Sequence, residues 1–232
     1  MEKIRVSKDG KPDRCIAYVS EKVGGKFSAL PCVAGVSCLK NRTSVEFSTE
    51  KIYEPYVRKE TASAVAEVLV LFYKYRFFSD LLPLPSLKQE ERELLLTALV
   101  SADFQTDKKY TETRLSGLDE YRIDGVFFFR LQELKESWVR IASYVPNEFS
   151  PAALYSFVQF LSSEGEGRIF LQGESAYDEE YRPLKKSALI GEYSAPKEIL
   201  LSGARLVYCF GEQTEETKDF LKKYYAEKTF FC

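Results

Sequence analysis

Four carboxylates crowd the nine residues ESAYDEEYR (174–182): Glu174, Asp178, Glu179 and Glu180. Paired carboxylates can hold a hard cation or trade a proton with a substrate. Their spacing matches no EF-hand loop, and a run of charge usually faces water. A solvated acidic loop is the stronger reading, with Tyr177 and Tyr181 packed below it. A second candidate lies in YRIDGVFFFRLQEL (121–134), where Asp124 and Arg130 flank three consecutive phenylalanines. An arginine at such a seam could recognise a partner's carboxylate or a phosphate. The plainer alternative is a helix cap at Asp124, stabilising by about 1 kcal/mol, and a structural arginine whose stem lies on apolar surface. YKYRFF (73–78) mixes cations and aromatics as single-strand nucleic-acid surfaces do. It also falls at the end of a predicted helix, where cations are favourable and the aromatics are core-spaced. GEGR (165–168) lacks the preceding strand and following Lys-Ser/Thr of a phosphate loop, and reads as a turn.

What is absent narrows the chemistry further. The 232 residues contain no histidine, so this chain supplies no His base, acid or metal ligand, and no Ser-His-Asp or Cys-His arrangement. The five cysteines, Cys15, Cys32, Cys38, Cys209 and Cys232, form no CxxC pair and suit no zinc site. Scattered, mostly buried thiols in a reducing compartment are expected, with Cys232 the most reactive. No catalytic residue, metal or cofactor is assigned. The net charge of -2 speaks against broad phosphate tracking. The charged opening MEKIRVSKDGKPDR shows no signal peptide, and AVAEVLVLFY is too short to span a bilayer. The expectation is a cytoplasmic protein without a membrane span.

The elements that must position these residues follow from periodicity. RCIAYVS (14–20) and TSVEFST (43–49) read as strands, with a loop and one short strand between them. From Tyr53 to Ser79 the spacing is helical: Val57, Thr61, Ala64, Val65, Val68, Phe72 and Tyr75 share a stripe, with Glu67 and Lys74 among the residues opposite. Ser86 and Gln89 form a capping-box signature for a second helix, and a third covers 107–120. Phe127, Phe128, Leu131, Leu134, Trp138, Ile141, Ala142 and Val145 predict one helix over 125–145, with Ile123 and Phe128 as its hydrophobic staple. A buried staple there predicts that Phe128→Ala costs about 3–5 kcal/mol. Ser150 and Pro151 open a well-marked helix. RIFLQ, KEILLS, RLVYCF and KTFFC then read as short strands, with helices near 184–192 and 214–226.

Together these predict an α+β fold: a central bundle of about five helices and a small mixed sheet from the C-terminal third, joined by the N-terminal strands. The chain divides into N-terminal strands and loop (1–50), a helical region (51–165) and a mixed α/β region (166–232).

The stretch IDGVFFFRLQEL resembles the signature of the YtxC-type putative sporulation proteins of spore-forming Gram-positive bacteria. Ile123, Asp124, Gly125, Phe129, Arg130 and Leu131 match that pattern, and Val126 stands where Phe is usual. KKSALIGEYSAPKEILL resembles the family's short helix, proline and strand. The likeness covers about residues 52–201 by order of elements, and only the central motif is sharp. It implies a sporulation-associated role and supplies no reaction. Asp124, Gly125, Phe129 and Arg130 carry over as motif residues for binding and not as catalytic ones.

The expected function is therefore a non-catalytic cytoplasmic protein that binds another protein, in a process connected with sporulation. The alternative is an enzyme whose site uses carboxylates, Arg and Tyr without histidine. A nucleic-acid binder would need a contiguous basic face that the sequence does not show.

Overall fold

The computed structural model describes residues 1–10 and 14–232; Lys11, Pro12 and Asp13 of the charged N-terminal stretch lie outside the described residues. The chain begins β1 (Glu2–Asp9), α1 (Arg14–Lys26), β2 (Cys32–Leu39) and β3 (Arg42–Thr49). Then come α2 (Glu54–Val68), a π-helical turn (Leu69–Tyr73), α3 (Lys74–Leu81), α4 (Gln89–Ala102) and α5 (Phe104–Leu115). The middle continues with β4 (Glu120–Arg122), α6 (Ile123–Arg130), α7 (Gln132–Ser143) and α8 (Pro151–Glu164). The last third holds β5 (Arg168–Gln172), β6 (Ser175–Tyr177), α9 (Ser187–Ile190), α10 (Ala195–Ser202), β7 (Leu206–Phe210), α11 (Glu215–Tyr224) and β8 (Thr229–Phe231).

The fold is α+β, as expected, but its strands form two four-stranded mixed sheets, ordered β2-β3-β1-β4 and β6-β5-β7-β8. The N-terminal strands do not join the C-terminal sheet. The reason is β1, a strand not among those expected. Its Ile4 and Val6 are buried and alternate with Lys3 and Arg5, and it pairs along its whole length with β3. Local antiparallel partners saturate β3 on both sides, and β4 then adds to β1 in parallel. The chain separates into two compact units, Met1–Lys74 with Gln105–Arg140, and Tyr75–Phe104 with Ile141–Cys232. The helices are divided between these units and do not gather into one five-helix bundle.

Two predicted strands are helices. Residues 14–20 begin α1, where Cys15, Ile16, Val19 and Val23 are buried. That spacing is a helical stripe, and it outweighs the β-branched composition. KEILLS belongs to α10, which has Pro196 in its first turn and Gly203 just past its end in the left-handed conformation. These are helix start and stop signals, and they override the apolar run. The predicted stripe of α2 and the π-turn is buried or half-buried, yet Glu67 and Lys74, assigned to the opposite face, are buried too. Glu67 accepts from Tyr18 Oη at 2.6 Å, from Lys108 Nζ at 2.7 Å and from Lys22. Lys74 donates to Asp107 Oδ2 at 2.6 Å, and the Trp138 indole donates to the same oxygen at 2.9 Å. Buried charges persist when paired and hydrogen-bonded in this way.

In α4 the box partner is Glu91, whose Oε2 accepts from the Lys88 N–H at 3.1 Å; Ser86 instead donates to the Phe149 carbonyl at 2.9 Å. Ser150 caps α8 as predicted, its Oγ accepting from the Ala153 N–H at 3.1 Å. GEGR is a turn from α8 to β5. A Cβ on Gly165 would stand 2.6 Å from the Gly203 carbonyl oxygen, and Gly167 has φ +75°, so close approach and left-handed backbone require both glycines. Of the thiols, Cys15 and Cys209 are buried, Cys32 is half-buried, and Cys38 and Cys232 are both exposed, so fewer are buried than expected. Among the described residues, no helix is long and apolar enough to cross a membrane.

Candidate functional site

The motif residues meet in the first unit, at the junction of β1, β4 and α6. Helix α6 starts at Ile123 and ends at Arg130; Leu131, at φ -110° and ψ 30°, breaks the expected single helix before α7 begins at Gln132. Gln132 Nε2 and Lys135 Nζ both donate to the Phe128 carbonyl and satisfy the free end of α6. Within α6 the buried side is Ile123, Val126 and the half-buried Phe127, an i, i+3, i+4 stripe. Phe127 packs its ring 4.6 Å from Tyr73 and 6.5 Å from Trp138. Leu131, Leu134, Trp138 and Ala142 are buried beyond the break, as the helical spacing predicts.

Phe128 lies outside the core. The stripe and the staple put it in the core, but it is 54% exposed, and Phe129 is 82% exposed. The break at Leu131 changes the helical phase between α6 and α7, so a residue that one continuous helix would bury turns outward. Val126, which lies off that stripe, is buried with Ile123.

Asp124 is not the N-cap. It lies inside the first turn, and its two oxygens tie other elements to α6. Oδ2 accepts from the Asp9 N–H at the end of β1 at 2.8 Å, and Oδ1 accepts from Tyr73 Oη at 2.5 Å. The π-turn, a feature that recurs at functional sites, thus supplies the tyrosine that holds the motif aspartate. A Cβ on Gly125 would find only Arg122 Cβ, at 3.6 Å, so the motif glycine is not demanded by crowding.

Two open clefts flank this corner and share Phe129. The first, about 240 Å³, runs between the end of β1 and the start of α6, with Lys8, Arg42, Arg122, Asp124, Gly125 and Phe128 on its walls. The second, about 300 Å³, lies between α5 and the α6–α7 break, lined by Tyr110, Arg114, Arg130 and Glu133. In the first, Arg42 is paired with Asp9 at 2.9 Å. In the second, Glu133 Oε2 accepts from Tyr110 Oη and from Arg114, both at 2.9 Å. The Tyr110 hydrogen bond and then the Arg114 charge hold the Glu133 carboxyl below its ordinary range. Glu133 is thereby satisfied, and Arg130, exposed beside it, has no hydrogen-bond or ion-pair partner among the described residues.

The other candidates resolve into structure. In the acidic stretch, Glu174 accepts from the Thr214 N–H and from Thr217 Oγ1, both at 2.7 Å, and fixes the start of α11. Asp178 accepts from the Glu180 and Arg182 N–H groups and from Arg182 Nε. Glu179 accepts from the Arg168 N–H at 2.9 Å. Tyr181 does not pack below the loop; it is exposed and stacks on Phe170 at 4.8 Å. In YKYRFF, Lys74 and Phe78 are buried, so the segment presents no continuous aromatic-cationic surface. No cluster of three or more His, Cys, Asp or Glu side chains suited to a metal ion occurs among the described residues.

All four motif residues, Asp124, Gly125, Phe129 and Arg130, therefore stand at one corner. Lys8, Arg42, Tyr73, Tyr110 and Arg114 join them from distant parts of the chain, and nothing in their local sequence announces it. Fold and site define an α+β protein with a surface aromatic–arginine corner. In comparisons with known proteins, no family model, no curated protein and no solved structure matches the chain.

Proposed function

We propose that the chain is a non-catalytic protein that docks another protein at the Phe128–Phe129–Arg130 corner. The observation that carries this reading is Phe129: a large ring 82% exposed on a helix, standing between two clefts. Exposed aromatics beside an arginine are the composition of binding hot spots. The clefts are lined by five cations, Lys8, Arg42, Arg122, Arg114 and Arg130, against the three carboxylates Asp9, Asp124 and Glu133. That balance favours a partner segment with an apolar anchor flanked by carboxylates. The cytoplasmic setting belongs to the same proposal, as does the sporulation-associated role, which rests on the resemblance of residues 123–131. The enzyme alternative would draw on the carboxylates, arginines and tyrosines of the two clefts; there both Asp124 oxygens already accept hydrogen bonds that hold β1 and the π-turn, and Glu133 already accepts from Tyr110 and Arg114.

The test uses three baits in a lysate of sporulating cells, at low and high salt: the wild-type chain, Phe129→Ala and Arg130→Glu. A stoichiometric protein held by wild type, lost with Phe129→Ala and weakened at low salt by Arg130→Glu is expected. Equal retention on all three baits, or a small molecule retained in place of a protein, would overturn the reading.

A further inference from the structure

Four strands end the two sheets, and three of them are short: β4, β6 and β8 have three residues each. The fourth, β2, has eight, CVAGVSCL, and pairs on one side only, with β3. Natural sheets blunt their edges with short strands, charges, prolines or bulges. β4 carries Glu120 and Arg122, and the chain after β6 folds back to a bridge between Tyr177 and Pro183. β2 has none of these devices. It contains no charge and no proline, and its register with β3 runs unbroken from Cys32–Thr49 to Leu39–Arg42. Every residue from Val33 to Leu39 is exposed, on both faces of the strand. Val33, Val36 and Leu39 are 64%, 61% and 74% exposed.

We propose that this edge pairs antiparallel with the β2 of a second copy, giving one continuous eight-stranded sheet. The positions themselves point to a second copy. The exposed apolar residues sit at 33, 36 and 39, symmetric about Val36. A two-fold axis through Val36 and perpendicular to the sheet sets Val36 against Val36 of the other copy. On the same face it sets Ala34 against Cys38, and on the opposite face it sets Val33 against Leu39 and Gly35 against Ser37. Opposed residues lie on the same face in every case, as an isologous antiparallel pair demands. Charge agrees: no like charges meet, and the nearest cation, Lys40, falls beyond the end of the strand. Its two copies are held apart by roughly a strand length, on the order of 27 Å for eight residues. A strand pair is small beside the roughly 1,600 Å² of a standard interface, so the dimer is concentration-dependent. This inference uses none of the residues of the Phe129 corner.

Light scattering with size exclusion, on the full chain from about 1 to 200 µM, tests it. Wild type should move toward twice the chain mass. Val36→Lys, which opposes two like charges, should raise the dimer dissociation constant at least about tenfold. Val139→Lys, at a half-exposed position on α7, should leave it unchanged. Hydrogen exchange on wild type needs no variant: β2 amides should gain protection as concentration rises. A wild-type chain that stays monomeric throughout, or a dimer that Val36→Lys leaves intact, overturns the proposal, as does concentration-independent exchange at β2.

Discussion

A phenylalanine's energetic worth depends on which side of its helix meets the core. Phe129→Ala should change stability by no more than about 0.5 kcal/mol, because its ring is largely in water. Phe128→Ala, which loses a half-covered ring set edge to face on Phe127 at 5.3 Å, should cost about 1 kcal/mol. Trp138→Ala, which empties a fully buried site and removes one of the two donors to Asp107 Oδ2, should cost about 3–5 kcal/mol. Urea denaturation of the three variants separates these outcomes. Glu198 is a different case at the same scale. It is fully buried on α10, and Oε1 accepts from the Ser187 N–H at 2.6 Å and Ser187 Oγ at 2.7 Å. Oε2 has no hydrogen-bond partner among the described residues. Burial pushes this carboxyl up, against the opposing pull of the Ser187 hydrogen bonds. Below the ordinary carboxylate pKa of about 4.3 both states carry the proton. Above it the unfolded chain releases the proton while the folded chain keeps it. Stability therefore falls as pH climbs toward the folded pKa, and levels off beyond it. Glu198→Gln should flatten that fall; melting temperatures from pH 4 to 8 that decline equally in both proteins would remove Glu198 as the cause.

At the scale of elements, Asp124 binds three of them: its own helix α6, the end of β1 and the π-turn. Asp124→Ala leaves the Asp9 N–H and Tyr73 Oη without their acceptor, at a cost of about 1–3 kcal/mol. The loss should be local first, so hydrogen exchange should quicken at Asp9 more than at Val6 in the middle of β1. Uniform loss of protection along β1 would mean that the aspartate is not what anchors its end. The break at Leu131 acts on the same level. By ending α6 early it sets the phase that puts Phe128 and Phe129 outside, so the exposed aromatic corner is a consequence of where one helix stops.

At the scale of the whole molecule, the two units interleave in sequence. Residues 75–104 belong with 141–232. Within that unit Lys197 of α10 pairs with Glu93 of α4 at 2.7 Å, and Ser101 of α4 donates to the Leu200 carbonyl. A fragment of residues 141–232 lacks α4, so the apolar residues around Leu200 and Leu201 lose their cover. Such a fragment should show poorly dispersed amide resonances in a proton–nitrogen correlation spectrum. Well-dispersed resonances would mean that α4 is not required for that unit to fold. The domain boundaries expected near residues 50 and 165 do not describe this arrangement, because composition changes along the chain while compactness depends on contacts that cross it.

Residue types and short periods carried a good deal. The absence of histidine, the α+β class, the stripe through α2, the Ser150 cap and strands β3, β5, β7 and β8 were legible from sequence, since each rests on neighbours within a turn or a strand. Tertiary structure alone decided that Asp124 reaches Asp9 and Tyr73, and that Lys74 is buried against Asp107. It alone decided that the N-terminal strands close their own sheet. Each of these depends on partners dozens of residues away, whose burial and hydrogen bonds outweigh local propensity. The exposure of Phe128 turned on a single backbone break at Leu131, and no periodicity announces where a helix changes phase.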